Sequence, residues 1–108
     1  MKTYKVKYSE NVIAKIDELI QFIASINTKE SSTRYALDLY DEISKLSYLA
    51  DIFPDVMWET SYVIYPHTKR LLVKKGKLTV FYVIYRDYVL VYDIVPSSLV
   101  TKEVDSTP

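Results

Sequence analysis

The chain has 108 residues, a length that fits one modest hydrophobic core and not two. Hydrophobic residues make up 49% of it, yet no apolar stretch approaches the roughly 20 residues of a membrane-spanning helix, so we expect neither a disordered nor a membrane protein. Because cysteine is absent, disulfides and thiolate metal sites are excluded, and we expect a cytoplasmic protein without a cofactor.

The formal net charge is zero, but the charges are unevenly distributed. Residues 1–59 contain 7 Lys/Arg against 10 Asp/Glu, whereas residues 60–86 contain six cations and no acid. Such a basic stripe would attract phosphates or an acidic protein, although lysines at strand edges also serve only to prevent edge pairing. We predict that the following cations bind a target or a phosphate: Lys69, Arg70, Lys74, Lys75 and Lys77.

The first half of the chain predicts a strand followed by two helices. Residues 3–7 alternate as a strand, and Ser9 is placed to cap a helix whose apolar residues recur at spacings of three and four. A second helix is predicted from about residue 30 to residue 50, and Pro54 prevents its continuation. The two helices therefore form an antiparallel hairpin.

The second half predicts strands. Residues 62–65 fit a short strand, and three clearer strands follow at 69–74, 78–85 and 88–95. The only glycine, Gly76, suits a tight turn between the first two of these three, and Arg86-Asp87 forms the next turn. We predict a single domain over residues 1–100, followed by a polar tail over residues 101–108.

The element order β-α-α-β-β-β indicates an α+β fold, with an antiparallel sheet and the helical hairpin packed on one face. Both faces of strand 78–85 are apolar, and the hairpin can bury only one of them. The other face must meet the chain's own tail, a second copy or a partner. Tyrosine, of which the chain has 11, is enriched at interfaces. We therefore predict that a partner binds this face through Phe81, Val83 and Tyr85, or packs along the helical hairpin.

This element order, Pro54, the strand "KRLLV" and the stretch "KLTVFYVIYRDYVLVYDIVP" together resemble the RelE/ParE superfamily of bacterial toxins. These toxins belong to toxin–antitoxin pairs, often called plasmid stabilisation systems, and the long helical hairpin favours the ParE-like branch. The resemblance implies a cognate antitoxin as partner. It also implies that the protein forms a homodimer or a heterotetramer with the antitoxin. It also implies a cellular target such as DNA gyrase, or alternatively the ribosome with its mRNA.

Ribonucleases of this superfamily carry an arginine early in the strand that here begins at Leu78, and neither Leu78 nor Thr79 is cationic. No arginine, tyrosine or histidine follows Tyr92, so we predict no catalytic residue. Two alternatives to a gyrase-binding toxin stay open: a RelE-type mRNA endoribonuclease with a degenerate site, and a non-catalytic binding module. The sole histidine, His67, is interpreted as a loop residue rather than a proton-transfer group. The acids Asp38, Asp41 and Glu42 read as a solvated helix face without a metal.

Overall fold

The computed structural model describes residues 2–58 and 60–100. Four strands form one sheet in the order β1-β4-β3-β2, and the helices follow β1 in the chain. This arrangement confirms the predicted α+β class. The elements are β1 (Lys5–Tyr8), α1 (Glu10–Ile26), α2 (Lys29–Ser44), α3 (Leu46–Leu49), β2 (Lys69–Val73), β3 (Leu78–Tyr85) and β4 (Tyr88–Pro96).

The sheet is mixed. Its three C-terminal strands pair antiparallel, as predicted, whereas β1 pairs with β4 in parallel, with Lys5 opposite Tyr88. Two strands can be parallel neighbours only when a long connection returns the chain to the same edge of the sheet, and here the helices and two strands supply it. A bulge separates Phe81 from Tyr82 in the register of β3 with β4.

Polar caps fix both long helices. Ser9 has an extended backbone, and its hydroxyl accepts a hydrogen bond from the Val12 N–H at 3.1 Å, as its predicted role as N-cap requires. Thr28 caps α2 in the same way and accepts from the Ser31 N–H at 3.0 Å. The break at Asn27 and Thr28 therefore separates two independently capped helices.

Two sequence-based boundaries are wrong. The second helix stops at Ser44, because the Lys45 N–H donates to the carbonyls of both Glu42 and Ile43, and the chain restarts as the short α3. Residues 62–65 do not form a strand. The chain there makes a turn in which the Val63 N–H donates to the Thr60 carbonyl at 3.2 Å, and Tyr62 and Val63 pack against a sheet face instead of pairing with a strand.

The helix-facing side of the sheet contains the main core. Tyr82 is fully buried in it, and its hydroxyl donates to the Ala50 carbonyl at 2.9 Å. Burial raises the pKa of Tyr82 above its ordinary value, because the phenolate would lose its hydration. Further fully buried side chains of this core come from the helices and the central strands, among them Val12, Leu39, Ile43, Leu46, Val80, Val89 and Val91.

The opposite side of the sheet contains a second, smaller core. Phe81 is fully buried there and packs with the buried residues Tyr92, Val95 and Val100. The cover is the chain itself, through a segment that we call the covering segment: Val56, Trp58, Tyr62 and Val63. The second apolar face of β3 is therefore largely satisfied within the molecule. The predicted tail, 101–108, lies outside the described residues.

Among the residues that the structure describes, no helix combines the length and the apolar character needed to cross a membrane.

Candidate functional site

Lys69 belongs to the predicted basic stripe, but its charge is used inside the molecule. Its ammonium group donates to the Phe53 carbonyl at 2.7 Å and to a carboxylate oxygen of Asp55 at 3.0 Å, and only 18% of the side chain is exposed. The Val56 N–H donates to the Thr68 carbonyl at 2.7 Å beside this pair. Lys69 thus fastens the start of the covering segment to the sheet.

Arg70 points to the other side of β2. Its guanidinium carbon lies 4.6 Å from the centroid of the Trp58 ring, a cation–π contact that leaves Arg70 exposed. The indole N–H of Trp58 is buried and has no hydrogen-bond partner in the described part of the chain. Arg70 remains available to a ligand, and Trp58 is a neighbour that sequence reasoning missed, because the two are separated by twelve residues.

Lys74 and Arg70 do not lie on the same face of the sheet, although strict alternation along a strand would place both on one face. It follows β2 with a left-handed backbone (φ 53°), which turns its side chain toward α2, where the ammonium lies 4.1 Å above the Tyr35 ring. Its own N–H donates to both carboxylate oxygens of Glu42 at 3.2 Å. The Glu42 carboxylate therefore holds the turn and is not part of a merely solvated face.

We call residues 74–77 the lysine turn. Lys74, Lys75 and Gly76 all have positive φ, with 84° at Gly76, so the prediction that the single glycine serves this turn is confirmed. Lys75 and Lys77 are exposed and share a cleft with the acids of α2. The acids in this cleft are Asp38, Asp41 and Glu42. Cations that have no acid near them in sequence thus share a cleft with acids from another element of the fold.

The three predicted partner-binding residues differ in accessibility. Phe81 is fully buried under the covering segment, Val83 is half-buried, and Tyr85 is 53% exposed. Phe81 could contact a partner only after the covering segment moved, because that segment already fills the space above its ring, with Tyr62 stacked at 6.0 Å. The binding role of these residues stays a prediction, for which Val83 and Tyr85 offer the surface.

His67 stands in a strained, left-handed conformation (φ 60°) and is exposed. Its Nδ1 lies 2.9 Å from the Asp55 carboxylate, which Lys69 also contacts. The hydrogen bond with His67, then that with Lys69, holds the pKa of Asp55 below its ordinary value. His67 is therefore a loop residue with a structural partner, and Asp55 was missed because nothing near it in sequence marks it.

Tyr92 is a core residue rather than an interface residue. Its hydroxyl donates to the Tyr62 carbonyl at 3.1 Å, lies 3.0 Å from the Thr68 hydroxyl and accepts from the Ile64 N–H at 3.4 Å. Burial raises the pKa of this phenol.

Within residues 2–58 and 60–100, no three His, Cys, Asp or Glu side chains converge as metal ligands.

No family model matches the chain, and no curated protein matches it in sequence. Seven chains of solved structures do match in three dimensions. One of them, described as "Chromosomal ParDE TA system from P. aeruginosa", superposes with a TM-score of 0.71 over 87% of this chain and 96% of its own length. The chain has a ParE-like fold. The identity to that chain is only 11%, so the RelE/ParE resemblance is confirmed for the fold, and no residue role transfers.

Proposed function

We propose that this protein is the toxin of a type II toxin–antitoxin system, that a cognate antitoxin neutralises it, and that it acts by binding a cellular target such as DNA gyrase. The observation that supports this proposal is the fold similarity, which extends over almost the whole length of a chain from a ParDE toxin–antitoxin system. The RelE/ParE resemblance of the sequence points in the same direction.

The antitoxin would pack along the helical hairpin. Phe22 and Ile26 lie one turn apart on α1 and are 59% and 67% exposed, and Leu37 on α2 is also 67% exposed. Large apolar side chains at such exposure favour a partner surface. On β3, by contrast, the covering segment already occupies the position above Phe81. An amphipathic antitoxin segment that folds on binding would bury the hairpin residues.

Target binding, rather than RNA cleavage, is the action that we propose. The positions at which superfamily ribonucleases carry an arginine are occupied by Leu78, which is half-buried, and Thr79, which is buried. Neither can stabilise a developing phosphate charge, which is the contribution that a cation makes to such a reaction. Binding to a protein target requires no such group.

Induced expression in bacteria tests the proposal. We expect growth arrest when the chain is expressed alone and recovery when the product of the neighbouring gene is co-expressed, together with inhibition of supercoiling by purified gyrase. Absence of arrest by folded protein would overturn the toxin assignment. Arrest with codon-dependent mRNA cleavage on the ribosome would instead assign the RelE type of action.

The antitoxin surface has its own test. The double variant Phe22→Asp, Ile26→Asp should keep its toxicity but lose rescue and co-purification with the antitoxin, because charged side chains would face an apolar partner. Gln21→Asp, an exposed substitution on the same helix, is the matched control and should still be rescued. Rescue of both variants would show that the hairpin is not the antitoxin site.

A further inference from the structure

The end of the sheet away from the lysine turn carries a basic, tyrosine-bearing surface that shares only Tyr85 with the predicted binding residues. On β1, Val6 and Tyr8 pack against the helix-side core, so Lys5 and Lys7 project from the opposite face. Tyr88 lies beside them on β4, and Tyr85 stands opposite Tyr88 across the β3–β4 turn. We call this surface the tyrosine end, formed by Lys5, Lys7, Tyr85, Arg86 and Tyr88.

The cations and rings of the tyrosine end are already in contact. The Tyr85 and Tyr88 rings lie 5.5 Å apart and are inclined by 57°. The Lys7 ammonium lies 4.1 Å above the Tyr88 ring, and the Arg86 guanidinium carbon lies 5.4 Å from the Tyr85 ring. Positive charge is thereby held beside two aromatic rings, of which Tyr85 is 53% exposed.

Positive charge is in excess at the tyrosine end. None of Lys5, Lys7 and Arg86 forms an ion pair with a residue that the structure describes, whereas Lys69 is paired with Asp55. The one acid within the β3–β4 turn is Asp87, whose backbone carbonyl accepts from the Lys5 N–H at 3.3 Å. Positive charge therefore exceeds negative charge here and is not neutralised by neighbouring strands.

We propose that the tyrosine end binds single-stranded nucleic acid. An exposed aromatic ring such as that of Tyr85 can stack on an unpaired base, while neighbouring lysines and arginines contact the phosphates. Charge complementarity favours a polyanion, and the paired rings favour one that carries planar bases over an acidic peptide, which would use only the cations. This inference goes beyond the proposed toxin function and does not rest on it.

Fluorescence anisotropy with the full chain tests the proposal directly. The probes are labelled oligo-dT and oligo-U of about 15 nucleotides, a length that spans one such site, and a duplex of the same length. We expect both single strands to bind and the duplex to bind at least tenfold more weakly, because its bases are not free to stack. Comparison of the two single strands distinguishes DNA from RNA as the source of the ligand.

Matched variants locate the site. Lys5→Gln with Lys7→Gln should weaken binding and reduce the slope of log K against log salt by about 1.4, the value for two lost phosphate contacts on a single strand. Lys29→Gln with Lys45→Gln removes the same charge from exposed positions of the helical hairpin and should change neither quantity. Tyr85→Ala should weaken binding by about tenfold, whereas Tyr85→Phe should retain it, because stacking needs the ring and not the hydroxyl. Thermal melts confirm that each variant is folded.

Three results would overturn the proposal: no binding at low salt, equal weakening by the two lysine pairs, or no effect of Tyr85→Ala. Competition by a polyglutamate peptide as effective as competition by unlabelled oligonucleotide would also overturn it, since the surface would then recognise charge alone. Loss of growth arrest is not a readout of these experiments, so failure of the toxin proposal and failure of this one are distinguishable.

Discussion

Two regions of the sheet carry cations, β2 with the lysine turn and the tyrosine end, and they differ in what surrounds those cations. In the first region, Lys69 is bound to Asp55, and Lys74 lies over Tyr35 beside the acids of α2. At the tyrosine end, Lys7 lies over the Tyr88 ring, and neither Lys5 nor Lys7 forms an ion pair with a residue that the structure describes. Charge counted along a sequence is therefore a poor guide to free charge, because neighbours across the fold determine whether a cation is already used.

We therefore expect that cations along β2 and in the lysine turn support the fold and that cations at the tyrosine end do not. The largest effect should come from Lys69→Ala, which removes two donors from a mostly buried position and leaves the Phe53 carbonyl without its partner. We expect a loss of about 2 kcal/mol in the free energy of unfolding, measured by urea denaturation. Lys5→Ala, at an exposed strand position, should change it by less than about 0.5 kcal/mol. Equal losses would break the distinction.

Glu42 should stabilise the lysine turn through its hydrogen bonds to the Lys74 N–H. Glu42→Ala removes the acceptor of the Lys74 N–H and should destabilise the protein by about 1 kcal/mol. Asp38→Ala is the control, because Asp38 lies in the same cleft and no hydrogen bond to the turn joins it there among the described residues. If both substitutions cost the same, general electrostatics rather than the specific contact would explain the turn.

Removing glycine from one hairpin turn and introducing it into the other should change the stability of the protein in opposite directions. Gly76→Ala places a side chain in a left-handed conformation without any clash, so we expect a loss of about 1 kcal/mol from backbone strain alone. Arg86→Gly relieves the same kind of strain at φ 58° and should raise stability by about 0.5 kcal/mol. Thermal melts of both variants check the signs, and a destabilised Arg86→Gly protein would show that the Tyr85 contact outweighs the strain.

The smallest effect concerns pH. Because hydrogen bonds with His67 and Lys69 lower the pKa of Asp55 in the folded state, its contribution is complete above the unfolded pKa of about 3.9 and is lost as the pH falls through the folded pKa. The melting temperature should therefore fall less steeply below about pH 4 in Asp55→Asn than in the natural chain. Parallel curves for the two proteins would contradict this assignment.

Local patterns in the sequence were enough to predict most of the fold. Helical spacing and the Ser9 cap predicted α1, and Gly76 predicted the turn that it occupies. The parallel pairing of β1 with β4 was not predictable in this way, because a strand's sequence does not state the direction of its neighbour. The break at Lys45 was also missed, since the apolar spacing continues through it to Leu46 and Ala50.

The candidate sites were less predictable than the fold. Phe81 was expected to await a partner, and it is covered by a segment whose sequence has no clear periodicity. Lys69 and Asp55 are a pair only because the covering segment crosses the edge of β2. Lys7 and Tyr88 come together through long-range pairing between the first and last strands, which no local pattern reveals.

The most direct test follows backbone amide chemical shifts by NMR while unlabelled oligo-dT is added. It shows whether the tyrosine end, rather than β2 with the lysine turn, binds the oligonucleotide. We expect the amide signals of residues 5–8 and 85–90 to shift progressively and saturate together, while those of residues 69–77 stay unchanged. Shifts centred on the lysine turn and Arg70, with the tyrosine end unaffected, would contradict it.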